Sequence, residues 1–337
     1  MELAPFITPL ELKKLLPITH EEENTLHSFR KEARDLVLHP NKKKALLIGP
    51  CSVQDEDSLF YYTEKLLSLK KEVQDEFFIV LRFFVEKSRS HLGWKGFATD
   101  PYLDNSYQIK EGLIRTRKML LTLLKMQIPV ATEFVDPFIA PYIQDLITWG
   151  LIGARSAMST SHRQMASLWD FPVGFKNNLN GDLFPAIAGA HISSQMQKFL
   201  SLDDQGKIAL ATSDGNPYTH IVLRGSETKA NFDEESILCA QTEIKRTPIN
   251  TRIMIDCSHG NSKKDPQNQK DAFLYWMQKK PSSFSSIIGF MLESFIYAGN
   301  QRLQMPLKWG ISVTDACLSW EETEDLILQS INSEVTL

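Results

Sequence analysis

A chain of 337 residues with 42% hydrophobic and 23% charged residues has enough apolar material to bury a large core of its own. Its 37 basic side chains against 41 acidic ones give a net charge of −4, which excludes a general electrostatic attraction for nucleic acid or for an anionic membrane surface. No segment has the uninterrupted apolar run of a signal peptide or a membrane span, so we expect a cytoplasmic protein.

The first predicted segment is an N-terminal extension, residues 1–44. Apolar clusters that include Leu10, Leu12 and Leu15 are followed by a charged, helix-like stretch. The pattern of residues 45–337 predicts a catalytic barrel of alternating strands and helices. Barrels of this kind have their active site at one end. We therefore expect the extension to cover the other end of the barrel, or to serve as an oligomer or regulatory arm, rather than to take part in catalysis.

Eight short runs of apolar, β-branched and aromatic residues carry the barrel prediction. They are residues 45–49, 77–83, 129–134, 150–155, 171–176, 219–224, 252–256 and 286–292. Most segments between them show helical spacing, as in Leu59, Tyr62 and Leu66. Strands that alternate with helices eight times, and that are mostly apolar on both faces, indicate a closed parallel sheet. The predicted fold class is α/β, a (β/α)₈ TIM barrel in one domain.

Two connections are longer than a minimal barrel requires. Residues 84–107 join the second run to the next helix, and loops of this length are usually functional. Residues 203–218 contain Gly206 and the turn-like sequence DGN at 214–216, on either side of the alternating run IALAT. That pattern predicts a β-hairpin inserted before the sixth barrel strand.

In a barrel of this kind, only the carboxyl ends of the strands and the loops that follow them meet at one place. All eight predicted strands have a polar residue there: Cys51, Arg82, Glu133, Arg155, Lys176, Arg224, His259 and Glu293. Burying a lone charge costs several kcal/mol unless it is paired, so one such residue would indicate a structural ion pair. A polar residue at every strand end indicates an active site.

The predicted site is rich in cations although the chain as a whole is acidic. The strand ends and the long second loop together supply Arg82, Lys87, Arg89, Lys95, Arg155, Lys176 and Arg224. Arginine suits phosphate and carboxylate in two-point contacts, and lysine contributes a point charge. We expect phosphorylated, carboxylate-bearing substrates. Nucleic acid is disfavoured, because the sequence has no basic stripe with interleaved aromatic residues.

A second set of polar residues at the same end has the composition of a metal site. It consists of Cys51, His259, Glu293 and Asp315. Sulfur, nitrogen and two carboxylates favour manganese, iron, cobalt or zinc over magnesium. The other three cysteines are far apart and form no CxxC pair, so we expect free thiols rather than a zinc ribbon or a disulfide scaffold.

Short motifs at the strand ends resemble one known family. They are IGPCS at 48–52, GWKG at 93–96, DPYLDNS at 100–106, IGAR at 152–155, PVGFKN at 172–177, HIVLRG at 220–225, IDCSHGNS at 255–262, MLES at 291–294 and GNQ at 299–301. These segments closely resemble the class I 3-deoxy-D-arabino-heptulosonate 7-phosphate (DAHP) synthases, the first enzymes of the shikimate pathway and of aromatic amino acid biosynthesis. The resemblance extends from about residue 45 to about residue 325.

The resemblance implies a metal-dependent condensation of phosphoenolpyruvate, D-erythrose 4-phosphate and water to DAHP and phosphate. It implies that the divalent cation is held by Cys51, His259, Glu293 and Asp315. Phosphoenolpyruvate would bind through Arg82, Lys87, Glu133, Gly153, Ala154, Arg155, Lys176 and Arg224. Erythrose 4-phosphate would bind through Arg89, Ser90 and Asp315. The residues that would act in catalysis are Cys51, Lys87, Lys176 and His259.

Four positions near the predicted site depart from the family pattern: Ser88, Ser90, Ser156 and Met158. The family's EKPRT is EKSRS at 86–90, and its GART is GARS at 153–156. Both changes keep the charged residue and a hydroxyl, so the assignments carry over. A family acidic position is occupied by Met158.

The resemblance also bears on regulation. Residues 137–141 and 168–170, where relatives build part of an allosteric pocket, differ from the family pattern. Phe199 and Ser201, which lie where similar enzymes contact their effector, are retained. We expect a homo-oligomer, a dimer or a tetramer, whose activity responds to an aromatic amino acid.

Three other functions compete with this interpretation. The related 3-deoxy-D-manno-octulosonate 8-phosphate synthase uses the same enol phosphate with a five-carbon aldose phosphate, but the long extension and the inserted hairpin favour the first interpretation. A barrel aldolase would use Lys176 as a Schiff-base nucleophile. A non-catalytic regulatory barrel is disfavoured because the metal quartet and all the cation positions are complete.

Overall fold

The computed structural model describes residues 3–39, 43–250, 252–279 and 285–332. Its strands are β1 (Lys44–Gly49), β2 (Phe77–Arg82), β3 (Val130–Glu133), β4 (Trp149–Ile152), β5 (Val173–Lys176), β6 (Gln197–Leu202), β7 (Ile208–Ser213), β8 (Thr219–Leu223), β9 (Ile253–Asp256) and β10 (Ile287–Glu293). Eight of them close a parallel barrel in the order β1-β10-β9-β8-β5-β4-β3-β2. The prediction of a TIM barrel is confirmed.

Helices surround this barrel. They are α1 (Pro9–Leu15), α2 (His20–Leu38), α3 (Glu56–Val73), α4 (Ile109–Lys125), α5 (Ala140–Ile143), α6 (Thr160–Ser167), α7 (Phe184–Ser193), α8 (Glu234–Ile244), α9 (Asn268–Met277) and α10 (Trp320–Asn332). The barrel strands are buried along their whole length apart from the half-buried Glu133 at the end of β3. Burial on both faces explains why the strands are apolar without alternation. Among the described helices, none is long and apolar enough to cross a membrane.

The N-terminal extension forms α1 and α2, and each helix begins with a capping box. Thr8 pairs with Glu11 at the start of α1, and Thr19 pairs with Glu22 at the start of α2. These reciprocal bonds satisfy amide groups that a helix leaves unpaired at its first turn. Arg30 of α2 donates to the carbonyl of Ile147, 2.9 Å away and just ahead of β4. The contact places α2 at the amino ends of the strands, opposite the predicted site.

The inserted hairpin begins earlier in the chain than the sequence pattern indicated. Strands β6 and β7 pair with Leu200 opposite Leu210, so the hairpin starts at residue 197 rather than at 203. Its turn covers residues 203–207, where the Asp203 carboxylate accepts hydrogen bonds from two amides and Gly206 has a φ of +75°. Residues 214–216 do not form the hairpin turn. A Cβ at Gly215 would lie 2.3 Å from the carbonyl oxygen of Ser194. Glycine is therefore needed here because two segments of the backbone pass too close for a side chain.

Candidate active site at the carboxyl ends of the strands

A cavity of about 710 Å³ opens at the carboxyl ends of the barrel strands. Twelve predicted site residues line it: Arg82, Lys87, Arg89, Ser90, Glu133, Ala154, Arg155, Lys176, Arg224, His259, Glu293 and Asp315. Cys51 lies behind this lining, fully buried. Gly153 also lies behind it, where a Cβ would come within 2.3 Å of a Glu133 carboxylate oxygen. The exposed Lys95, which was also predicted to face anions, is not part of the lining.

The long loop after β2 brings Lys87 and Arg89 to this cavity by doubling back on itself. The Lys87 amide donates to the Lys95 carbonyl at 2.8 Å, and the Ala98 amide donates to the Val85 carbonyl at 3.0 Å. Gly96 permits this approach, since a Cβ there would lie 2.3 Å from the Val85 carbonyl oxygen. The loop is therefore an ordered part of the cavity wall.

Three of the four predicted metal ligands form a compact donor cluster. One ligand atom each from Cys51, Glu293 and Asp315 lies within 4.8 Å of the others, and Cys51 Sγ is 3.6 Å from Asp315 Oδ2. The fourth, His259, lies beside the cluster, with Nε2 3.9 Å from Glu293 Oε1. Donor atoms about 2.0–2.3 Å from a shared ion are separated by distances of this order, so the residues fit a divalent cation.

Lys87 lies against the donor cluster. Its Nζ is 3.0 Å from the Cys51 sulfur. Burial and the neighbouring Glu293 carboxylate raise the pKa of the Cys51 thiol to about 12, an effect that the Lys87 ammonium partly offsets. Burial also opposes the charge on Lys87, yet Cys51, Glu293 and Asp315 together hold the pKa of Lys87 above its ordinary value. A cation is thus electrostatically favoured at the cluster.

Two of the predicted cations are neutralised by buried carboxylates. Arg82 donates to Glu293 at 2.8 Å, and both side chains are almost fully buried. The Lys176 ammonium is 3.1 Å from Asp256 and 3.6 Å from Glu133. Burial raises the pKa of Glu133, but Lys176 and Lys87 outweigh this effect and hold it below its ordinary value. These pairs form a fixed charged floor beneath the cavity.

Asp256, a central carboxylate of this floor, was missing from the predicted site. Besides its contact with Lys176, it lies 3.0 Å from Nδ1 of His259. Burial would raise the pKa of Asp256, but His259 and Lys176 hold it well below its ordinary value. A carboxylate beside one ring nitrogen favours ligation of a metal ion through the other. The signal was present in the sequence, because Asp256 is the last residue of an otherwise apolar strand.

Glu86 is a second buried carboxylate that the sequence analysis did not assign. It lines the cavity and accepts hydrogen bonds from the amides of Val135 and Asp136, at 3.3 and 3.0 Å. Burial, reinforced by the charge of Asp136, raises the pKa of Glu86 to about 8. Glu86 therefore ties the long loop to the end of β3 without adding a full negative charge at neutral pH.

Three of the predicted arginines, in contrast, form no ion pair with a carboxylate among the described residues. Arg155 donates to the hydroxyl groups of Ser90 at 2.7 Å and Ser88 at 3.4 Å. Arg89 donates to the carbonyl of Trp94 at 3.0 Å, and Arg224 to that of Gly225 at 3.2 Å. Such uncharged partners leave the positive charge available for a ligand. The cavity can therefore hold strongly anionic molecules beside a metal ion.

Comparisons with known proteins agree with this geometry. The sequence profile of the DAHP synthetase I family matches residues 22–328. The chain is 37% identical to the Tyr-sensitive phospho-2-dehydro-3-deoxyheptonate aldolase of Escherichia coli K12, over 98% of this chain and 94% of that protein. It is 36% identical to the Phe-sensitive phospho-2-dehydro-3-deoxyheptonate aldolase of the same organism, over 98% of this chain and 95% of that protein. The solved structure of a phospho-2-dehydro-3-deoxyheptonate aldolase from Francisella tularensis SCHU S4 superposes with a TM-score of 0.95 at 36% identity, covering 98% of this chain and 97% of that one.

Proposed function

The chain belongs to the DAHP synthetase I family, and we propose that its cavity condenses phosphoenolpyruvate, D-erythrose 4-phosphate and water to DAHP and phosphate with the aid of a divalent cation held by Cys51, His259, Glu293 and Asp315. One observation carries the proposal. A cluster of metal-ligand atoms shares one cavity with three arginines that pair with no carboxylate in the part of the chain that the structure describes. That combination suits a reaction between two anions in which a carbonyl must be polarised.

Different residues of the cavity would bind the two substrates. Arg82, Lys176 and Arg224 would hold the phosphate and carboxylate of phosphoenolpyruvate above the charged floor. Arg89 and Ser90 would hold the phosphate of the aldose. A divalent ion bound at the donor cluster supplies Lewis acidity at the aldehyde oxygen. The enol carbon would then bond to the aldehyde carbon, whose oxygen takes up a proton to become a hydroxyl. Water would add to the carbon that bears the phosphate and lose a proton, and the bond from that carbon to the phosphate oxygen would break to release phosphate.

Positioning is the main contribution of the protein. Two phosphorylated anions repel one another in solution, and fixed cations offset that repulsion while they orient the reacting carbons. Asp256 would hold the imidazole ring of His259 in place through its contact with Nδ1. Lys87, which contacts Cys51 and extends from the long loop, would neutralise charge between the donor cluster and the substrates.

A coupled assay of phosphate release tests this function. Purified protein should release phosphate from phosphoenolpyruvate with erythrose 4-phosphate, and much more slowly with a five-carbon aldose phosphate. Chelation should abolish the activity, and manganese or a similar ion should restore it. Preference for the five-carbon substrate would identify an octulosonate 8-phosphate synthase instead. No turnover with either aldose would support a non-catalytic barrel.

We also propose regulation by an aromatic amino acid, since the two E. coli relatives are Tyr-sensitive and Phe-sensitive. The extension and the hairpin turn are joined by a 2.9 Å ion pair between Lys13 and Asp204. A cavity of about 270 Å³ between them is lined in part by Phe6, Tyr142 and Leu202. Its size and aromatic walls suit an amino acid side chain. Phe199 and Ser201 lie on the adjoining strand.

A homo-oligomer in the cytoplasm is the proposed state of the protein. One face of the hairpin bears Leu200, Ile208 and Leu210, with exposed fractions of 73%, 77% and 70%. Adjacent apolar side chains with such large exposed fractions are typical of an interface rather than of a free surface. The four cysteines are free thiols, which is compatible with a reducing compartment.

The expected result is a dimer or tetramer by light scattering, with initial rates that fall in the presence of phenylalanine, tyrosine or tryptophan. Leu210→Glu should reduce the solution mass, because a charge placed on the exposed hairpin face opposes association. Leu238→Glu is the matched control, since Leu238 is 57% exposed on α8. A wild-type monomer that is insensitive to all three amino acids would contradict both proposals.

A further inference from the structure

Two lysines that the predicted site did not include line the same cavity. They are Lys263 and Lys264, in the loop that follows β9. Both side chains are exposed at the cavity rim. Within the described part of the chain, neither forms an ion pair with a carboxylate, in contrast to Arg82 and Lys176 on the floor. Their charges are therefore available to a ligand.

The loop that carries these lysines is held rigidly from below. The buried Asn261 donates from its side chain to the carbonyls of Asp256 at 2.8 Å and Leu223 at 3.1 Å. Its side-chain oxygen accepts from the amide of Asn231 at 2.7 Å. One side chain thus joins the ends of β8 and β9 to the loop after β8. These bonds attach the backbone that precedes the lysines to the barrel wall beside the cavity.

Two glycines bring this loop into direct contact with the loop after β8. A Cβ at Gly260 would lie 2.5 Å from the amide nitrogen of Ser226. At Gly225, whose φ is +70°, a Cβ would lie 2.5 Å from the amide nitrogen of Asn261. Because no side chain fits between the two backbones, the rim lies next to Arg224, whose guanidinium donates to the Gly225 carbonyl and has no ion-pair partner among residues 3–39, 43–250, 252–279 and 285–332.

The lysines themselves have unusual backbone geometry. Lys263 and Lys264 have φ values of +52° and +64°, in the left-handed region that residues with a Cβ rarely adopt. Two such residues in succession persist only where the surroundings impose the conformation, and such strain concentrates at functional sites. The turn is closed by the Lys264 amide, which donates to the His259 carbonyl at 3.0 Å.

The position of the lysines indicates which substrate they would serve. Arg82 and Lys176 are buried on the cavity floor, so the substrate that they hold must lie deep. The lysines lie at the outer rim of the same cavity, which Asp315 also lines. Asp315 belongs to the donor cluster, where the aldehyde of the second substrate would be polarised.

We propose that Lys263 and Lys264 bind the phosphate group of the aldose phosphate and, with Arg89 and Ser90, set the distance from that phosphate to the reacting aldehyde. This inference rests on the proposed function and extends it, because the rim lysines then contribute to the choice of acceptor. An acceptor without a phosphate, or with its phosphate at a different distance from the aldehyde, would lose these contacts.

Steady-state kinetics of Lys263→Gln, Lys264→Gln and the double variant test the proposal. A charge-assisted contact to phosphate contributes enough for each single change to raise KM for erythrose 4-phosphate about tenfold. KM for phosphoenolpyruvate should change less than about twofold on the same reasoning, since the floor cations are untouched. Inorganic phosphate should also compete less well against erythrose 4-phosphate. Lys264→Arg should recover most of the loss.

Lys118→Gln is the matched control, because Lys118 is an exposed lysine on the outer surface of α4. It should behave like the wild type. An unchanged KM for erythrose 4-phosphate in the double variant would overturn the inference, and so would a rise confined to KM for phosphoenolpyruvate. Failure of the wild-type protein to condense the two substrates is a different result, which would overturn the proposed function itself.

Discussion

Cys51→Ala is expected to lower kcat/KM at least about a hundredfold and to weaken metal binding in parallel. Removing a partner of a metal ligand typically costs about 10–100-fold in affinity or activity, and removing the ligand itself should cost more. A bound divalent cation would displace the proton of the Cys51 thiol, so the substitution would remove a negatively charged ligand and leave only His259, Glu293 and Asp315. Initial rates during a manganese titration, together with calorimetric measurement of metal affinity, would show whether both properties fall together.

Cys239→Ala provides the comparison for this variant. Cys239 is an exposed thiol on α8, outside the catalytic cavity, so the change should leave rates and metal affinity unaltered. Both variants should unfold cooperatively, because each loses only one small side chain. Full activity of metal-stripped wild-type protein would show that the donor cluster has no catalytic ion to hold.

Lys176→Met is expected to abolish measurable binding of phosphoenolpyruvate and to destabilise the fold. The ammonium lies between the carboxylates of Asp256 and Glu133. Removing one partner of a buried ion pair leaves an uncompensated charge and costs about 3–5 kcal/mol. Denaturant unfolding would measure that cost. Lys176→Arg, which retains the charge, should fold like the wild type and keep part of the affinity for phosphoenolpyruvate.

The same lysine decides between the condensation mechanism and an aldolase mechanism. Imine formation requires a neutral amine, whereas the carboxylates of Asp256 and Glu133 favour the charged ammonium form of Lys176. Borohydride treatment in the presence of both substrates should therefore leave no adduct on the peptide that contains Lys176. A reduced adduct found there by mass spectrometry would assign the chain to Schiff-base chemistry.

The barrel could be predicted because parallel strands that are buried on both faces must be apolar, which makes any polar residue at a strand end conspicuous. Arg82, Lys176 and Arg224 were identified in this way, and the structure brings them to one cavity. Their partners were harder to predict. Asp256 ends the apolar strand β9 and so carried the same signal, but His259 had already been taken as the polar residue of that strand.

The hairpin boundaries and the lysines at the rim depend on close approaches between distant segments of the chain, which the order of residues in the sequence does not show. Gly215 has the appearance of a turn residue, yet its neighbour in space is the carbonyl of Ser194, so the hairpin was predicted too far along the chain. Lys263 and Lys264 are typical surface residues in sequence. Only the contact between Gly225 and Gly260 places them at the rim of the cavity.

The N-terminal extension is attached to the barrel partly through its main-chain carbonyl groups. The buried Arg117 donates to the carbonyl of Leu16, and the Tyr142 hydroxyl donates to the carbonyl of Ile7. Every residue has a carbonyl, so these two bonds do not depend on which side chains the extension bears. The side chains of residues 7–16 that neither pack against the barrel, as Ile7, Pro9, Leu12 and Leu16 do, nor form the Thr8–Glu11 cap or the Lys13 ion pair could therefore change in descendant enzymes while the segment stays docked. Such changes would alter the cavity beside the hairpin turn without disturbing the catalytic barrel.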